Sequence, residues 1–188
     1  MTLSVLILTI EKRKHLFDEL MIKLNTLAQP YDVEILSCSD NGERSKGTKR
    51  NELVDQAKGK LSCFIDDDDD IPEYYFEDIF KVLAEAPLTD CIGFKGILSY
   101  PRSQPPDELF KHSVELPYSD GKINNVYLRP PNHLNPMLTE YFRQIRFPEI
   151  NFAEDYNFAI ELQKAGLIKN HVYLDKVMYY YRYNPRKR

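Results

Sequence analysis

Three short apolar runs recur along the first third of the chain, and their spacing constrains the fold more than any other feature. Leu3–Thr9 (LSVLILT), Val33–Cys38 (VEILSC) and Leu61–Ile65 (LSCFI) are each too short for a helix and read as strands. The first is a continuous β-branched and leucine run, the pattern of a strand buried on both faces. Between the first two, Lys14–Gln29 places Leu16, Leu20, Leu24 and Leu27 at three- and four-residue steps, which predicts an amphipathic helix ended by Pro30. Gly47 precedes a short second helix carrying Leu53, Val54 and Ala57 and stopped at Gly59. After the third strand, Pro72 stands near the first turn of a helix reaching about Ala86. The order β-α-β-α-β-α with short connections predicts an α/β domain. Its central sheet is mostly parallel, its crossovers right-handed, and helices cover both faces.

The second half is less regular. Cys91–Tyr100 predicts a strand with glycine relief, while Pro101–Pro106 and Arg129–Pro136 predict loops over a site. Thr139–Ile145 predicts a short helix. Glu154–Ala165 predicts a longer one, with Phe158, Ala159 and Leu162 inward and Gly166 as its stop. Val172–Leu174 and Val177–Tyr183 predict two closing strands. At 188 residues the chain fits a single domain, with a first half over 1–100 and a second over 101–188.

A net charge of −4 argues against general nucleic-acid binding, although Arg182 to Arg188 is locally basic. Cys38, Cys63 and Cys91 lie in apolar segments without metal-ligand spacing, so reduced buried thiols and a cytoplasmic setting are expected. No run approaches the roughly 18 apolar residues of a membrane span.

Ligand chemistry in such sheets gathers at the carboxyl ends of the strands, here near Thr9, Asp40 and Asp66. The third strand empties into five aspartates, Asp66 to Asp70. Crowded like charges cost energy unless a cation, a helix dipole or solvent offsets them. Hard divalent cations want oxygen ligands, so one or two of these aspartates with phosphate oxygens would complete a Mg²⁺ or Mn²⁺ site. On an extended chain Asp66 and Asp68 would face one side, leaving Asp69 or Asp70 to cap the next helix. The bland alternative is a solvated acidic loop. Glu154 and Asp155 form an acidic pair at a helix start, either dipole compensation or a carboxylate base. His133 stands in the polar stretch Asn132-His133-Leu134-Asn135, where a substrate contact is expected; His15 and His171 are read as structural or solvent-facing.

One rival pattern competes. Gly42 to Lys49 approximates the phosphate-binding G-x-x-x-x-G-K-[ST], but Thr48 precedes Lys49, which misplaces both the cation and the hydroxyl. A nucleotidyltransferase or NTPase on a similar sheet is therefore the alternative enzyme, and a catalytically inactive sugar-nucleotide-binding protein the non-enzyme alternative.

Four segments together resemble the GT-A fold glycosyltransferases, specifically the large inverting family-2-like group. They are SVLILTIEKR, VEILSCSDN, GTKRNELVDQAKGKLSCFIDDDD and FAEDYNFAIELQKAG. The resemblance implies a Rossmann-like nucleotide-sugar-binding fold and metal-dependent, inverting transfer of a single sugar. The donor would be a nucleotide-diphosphate sugar, expected to be a UDP-sugar, and the acceptor a hydroxyl. It further implies that Thr9 and Glu11 line the base pocket and that Asp40 contacts base or ribose. Lys49 and Arg50 would sit beside the diphosphate, with Asn51 in the same segment. Asp66 would reach the ribose or metal and Asp68 the Mn²⁺ or Mg²⁺, while counting back from Pro72 favours Asp67. Asp155 would be the base, supported by Glu154; the substrate contact expected of His133 and Asn135 comes from their polar loop and not from the resemblance. The missing Gln-x-x-Arg-Trp motif and membrane helices argue against a processive synthase. For a chain this short, the acceptor-binding part is expected to be minimal or supplied by another protein.

Overall fold

The computed structural model describes residues 1–100, 107–118 and 121–182. The proline-rich stretch 101–106 and most of the basic tail lie outside them.

Strand β1 (Leu3–Ile10) is the spine, with every residue from Leu3 to Thr9 buried. It is flanked in parallel by β2 (Val33–Asp40) and β3 (Leu61–Phe64). Period-two alternation divides β1 between two apolar layers. Leu3, Val5 and Ile7 pack with Leu20 and Leu24 of α1 (Lys14–Ala28) and Phe76 and Ile79 of α3 (Tyr75–Glu85). Leu6 and Leu8 pack instead with Leu53 and Val54 of α2 (Lys46–Gln56), Phe142 of α4 (Thr139–Gln144) and Phe158 of α5 (Glu154–Ala165). Helices therefore cover both faces, as expected.

Beyond β3 the sheet changes character. A two-residue strand, β8 (Met137–Leu138), lies antiparallel between β3 and β4 (Cys91–Ser99). The far part of β4 pairs with β5 (Glu108–His112), which leads to β7 (Val126–Arg129) and the short β6 (Lys122–Ile123). The nine-stranded sheet is mixed, and its longest ladders are parallel.

Two expectations are corrected. The closing segment is one strand, β9 (His171–Arg182), parallel to β4 throughout. Its register slips twice, past Asp175–Lys176 between Phe94 and Lys95 and past Met178 between Lys95 and Gly96, and the first slip has the composition of a turn. Helix α3 begins at Tyr75 without a side-chain cap, so neither Asp69 nor Asp70 caps it.

Candidate active site

The carboxyl ends of β1, β2 and β3 lie side by side, with Thr9 opposite Ser39 and Ile10 opposite Asp40. Just beyond β3 the acidic run folds into a turn, in which the Asp69 N–H donates to the Asp66 carbonyl at 3.0 Å. The turn sends each aspartate to a different partner instead of aligning Asp66 with Asp68. Asp66 accepts from Arg50 Nη2 at 3.3 Å. Asp67 is buried, accepting from Thr9 Oγ1 at 2.7 Å and facing Arg13 at 3.1 Å. Asp68 is partly open and pairs with Arg13 Nη1 at 3.3 Å.

The other two aspartates bind the closing strand. Asp69 accepts from Tyr179 Oη and the Arg182 N–H, both at 2.8 Å. Asp70 forms a two-way backbone bridge with Tyr180 and pairs with Lys23 and Arg182, each at 2.7 Å. Tyr179 Oη also accepts the Asp66 N–H at 3.1 Å, so one phenol ties both ends of the turn to β9. This is why the loop holds its shape despite its charge.

Helix α2 supplies three consecutive side chains, each turned about 100° from the last and so reaching a different wall. Lys49 Nζ meets Asp40 at 2.8 Å. Arg50 bridges Asp66 and Glu154 Oε1, both at 3.3 Å, with its guanidinium 4.8 Å from the Phe64 ring centre. Asn51 clamps the Phe147 backbone, donating to its carbonyl at 2.9 Å and accepting its N–H at 3.0 Å. The helix starts from a Ser45 cap that accepts the Thr48 N–H. At Gly47 a Cβ would stand 1.8 Å from the Pro148 carbonyl oxygen, so the glycine permits close approach of the 147–151 loop. Lys49 is thus turned inward onto Asp40, and the phosphate-binding-loop alternative loses its cation.

Asp40 accepts in addition from the Gly42 and Arg44 N–H groups. Chiefly through Lys49, against burial and with help from those N–H groups, its carboxyl is held down at about 2. Glu11 is exposed and accepts from Ser39 Oγ at 3.2 Å, linking the ends of β1 and β2.

The loop before β8 brings His133 to the other side of Asp66. Its ring is 95% buried in side-chain terms, Nε2 lies 4.0 Å from Asp66 Oδ2, and neither ring nitrogen has a hydrogen-bond partner. Asn135 is wholly buried: it accepts from the Asn132 N–H, donates to the Ile92 carbonyl and bonds His112 Nδ1. In this structure it holds the loop in place, and every contact it makes is internal. His112 is pushed down to about 3 by burial.

Opposite the turn, α5 begins at Glu154 after Ala153, whose left-handed backbone (φ 61°) redirects the chain into the helix. Glu154 is buried on Arg50, whereas Asp155 is half-buried, and its charge is felt by both Arg50 and His112. Burial opposes the charge on Arg50, but Asp66, Glu154 and Asp155 outweigh it and raise the guanidinium above its ordinary value. Conversely, burial would raise Asp66, yet Arg50 and then His133 hold it far below the carboxylate range. Even so, Arg50 Nη1 is buried without a hydrogen-bond partner. Buried donors of this kind are uncommon unless a ligand or water completes them.

Among the described residues no three His, Cys, Asp or Glu side chains form a ready metal cage. Asp66 and Asp68 are nevertheless oxygen donors with open surface, 31% and 15% of their side chains, which suits a hard cation shared with ligand oxygens. The sequence assigned no role to Arg13, Tyr179 or Phe147, and read Arg182 only as the start of a basic stretch. Arg13 follows directly on the first strand, and Tyr179 lies inside a predicted strand, where an inward phenol looks like core.

No protein-family model matches the chain, and no curated protein matches its sequence. Solved structures do match. They include S. aureus TarS 1-349 in complex with UDP (TM-score 0.66, 19% identity, covering 98% of this chain and 61% of that one). The same protein with UDP-GlcNAc gives a TM-score of 0.67 at 20% identity, over 98% and 59%. S. aureus TarS in a longer form gives 0.63 at 18% identity, over 98% and 37%. The likeness establishes the fold class: an α/β domain with the GT-A architecture that the sequence leads one to expect. The chain spans about three fifths of the 1-349 structures it matches.

Proposed function

We propose that this domain transfers a single sugar from a nucleotide-diphosphate sugar to an acceptor hydroxyl, with inversion at the anomeric carbon. One observation carries the reading. Arg50 Nη1 and the ring nitrogens of His133 are buried without hydrogen-bond partners, and they flank a partly open Asp66, 4.0 Å from His133 Nε2, at the carboxyl end of β3. An anionic group seated there would complete donors that the protein leaves unmet. The GT-A architecture and the UDP and UDP-GlcNAc held by the structures it resembles make a UDP-sugar the donor to test first.

In this reading Thr9, Glu11 and Asp40 shape the nucleoside end, although Thr9 and Asp40 act mainly through the loops they brace. Lys49 acts through Asp40. Arg50 and His133 face the diphosphate, and Asp67 anchors the turn. Asp68 and Asp66 would hold Mn²⁺ or Mg²⁺ together with phosphate oxygens. Such a cation, when bound, offsets charge building on the leaving diphosphate. Asp155 sits half-open at the head of α5, while Glu154 is committed to Arg50. Asp155 accordingly takes the acceptor proton as the acceptor oxygen bonds to C1. The bond from C1 to the diphosphate oxygen breaks on the opposite face, and its electron pair leaves with the nucleoside diphosphate.

Thermal unfolding against a panel of sugar nucleotides, with and without Mn²⁺, tests the reading. A donor at a hundredfold excess over Kd stabilises the fold by about 2.7 kcal/mol. Stabilisation by a UDP-sugar that depends on Mn²⁺ is expected. Stabilisation only by nucleoside triphosphates would favour a nucleotidyltransferase.

A further inference from the structure

Exposure rises residue by residue along the first turn of α5. Glu154 is buried on Arg50, Asp155 is half-buried and Tyr156 is exposed. Consecutive helical side chains are turned about 100° apart, so the phenol borders the carboxylate read above as the base. Its ring packs edge-on against Tyr118, with centroids 4.6 Å apart and an interplanar angle of 80°. The Arg129 guanidinium lies 4.2 Å from the Tyr118 ring centre and 5.3 Å from that of Tyr127. The segment bearing Tyr118 leaves β5 and docks along α5, where Gln163 Nε2 donates to the Leu116 carbonyl at 3.2 Å. The charges of Arg129 and Asp155 both reach the buried His112, so this aromatic ladder ends in the neighbourhood of Asp155.

Tyr156 is anchored, yet 41% of it stays open, and Ile150 and Phe152 just before it are 42% and 76% exposed. Single exposed apolar side chains are ordinary, but three within the stretch 150–156 are not scattered. An edge-to-face pair covers at most one face of each ring, so Tyr118 leaves a face of Tyr156 uncovered.

We propose that Tyr156 seats a pyranose acceptor, its ring stacking on the C–H face of the sugar whose hydroxyl meets Asp155. The face of an aromatic ring is electron-rich and attracts the electropositive C–H groups along one side of a pyranose. The sugar hydroxyls then point away from the stack, toward water and polar neighbours. Tyr118, itself held by Arg129, fixes the tilt of the Tyr156 ring, so little freedom is lost on stacking. The acceptor class is therefore a cyclic carbohydrate and not an acyclic polyol, which has no flat C–H face to present. The inference deepens the reading of Asp155 given above and rests on it.

The test is saturation-transfer NMR on the full chain, irradiating aromatic protons, with UDP present and absent. The probes are the methyl pyranosides of glucose, galactose and mannose, with glycerol as the acyclic control. Wild type should pass saturation to the ring C–H protons of at least one pyranoside and none to glycerol. Tyr156→Phe keeps the ring and should hold that pyranoside within about twofold of wild type, whereas Tyr156→Leu should bind it about fivefold or more weakly. Equal binding by a folded Tyr156→Leu overturns the seat. Loss in both variants also overturns it, since recognition would then lie with the hydroxyl and not the ring face. Glycerol saturated as strongly as the pyranosides overturns the acceptor class.

Calorimetry of UDP on the wild type reads the donor site separately. A wild type that binds UDP but no pyranoside overturns the seat alone and leaves the donor reading standing. One that binds a pyranoside through Tyr156 but no UDP keeps the seat and removes the donor reading. Circular dichroism and melting curves establish that each variant is folded.

Discussion

Arg50 concentrates the residue-scale chemistry, because one buried guanidinium holds the acidic turn and α5 in a single frame. Its pairing with Glu154 separates the two carboxylates that adjoin in sequence: one is structural and the other open. Asp155→Asn should lower kcat by about 10²- to 10⁴-fold while leaving donor Kd unchanged in a binding titration. A variant that turns over normally would remove Asp155 from the chemistry. Asp40 offers a pH test. Its carboxyl is depressed from 3.8 to about 2. The stability it contributes is therefore present above its unfolded value and lost as pH falls toward 2. Asp40→Asn should flatten the stability curve between about pH 4 and pH 2, read by urea denaturation at each pH. Equal slopes would mean that the Lys49 pair contributes nothing. The acidic residues themselves were legible in sequence; their partners were not. Five adjacent aspartates look equivalent until a turn separates them, and the side chains they meet come from β1, the 3₁₀ turn after it, α1, α2 and β9.

At the scale of elements, the site depends on two docking events. Helix α2 lies against the 147–151 loop through Gly47 and the Asn51 clamp. Gly47→Ala forces a Cβ into the Pro148 carbonyl and should destabilise the fold by roughly 1–3 kcal/mol, measured by chemical denaturation. Strand β9 docks against the acidic turn through Tyr179. Tyr179→Phe removes the hydroxyl from Asp69 and from the Asp66 N–H, costing roughly 1–3 kcal/mol and weakening donor binding with it. An unchanged denaturation midpoint would show that the phenol is dispensable. Helix α5 was readable to the residue, because an acidic start, three inward apolar side chains and Gly166 bracket it from both ends. The short strands β5 to β8 were not readable. Two to five residues carry too little periodicity, and proline and glycine nearby mask them as loops. The bulge in β9 misled for a similar reason: Asp175–Lys176 has the composition of a turn, yet pairing with β4 carries the strand past it.

Over the whole molecule, the parallel core is the most legible part, since β1 must be apolar on both faces and the helices between strands must return the chain. That core brings Thr9, Asp40 and Asp66 to one edge of the sheet. The second half contributes what lies opposite them, with His133 before β8 and Asp155 at the head of α5. No helix among the described residues is long and apolar enough to cross a membrane. We propose that a nucleoside diphosphate seats over the acidic turn with a divalent cation on Asp68. Calorimetric titration of UDP into wild type and Asp68→Ala, with and without Mn²⁺, tests it most directly. Mn²⁺-dependent binding to wild type and at least about tenfold weaker binding to the variant are expected, with the difference vanishing when Mn²⁺ is removed. Equal UDP affinity of the two proteins in Mn²⁺ would contradict it.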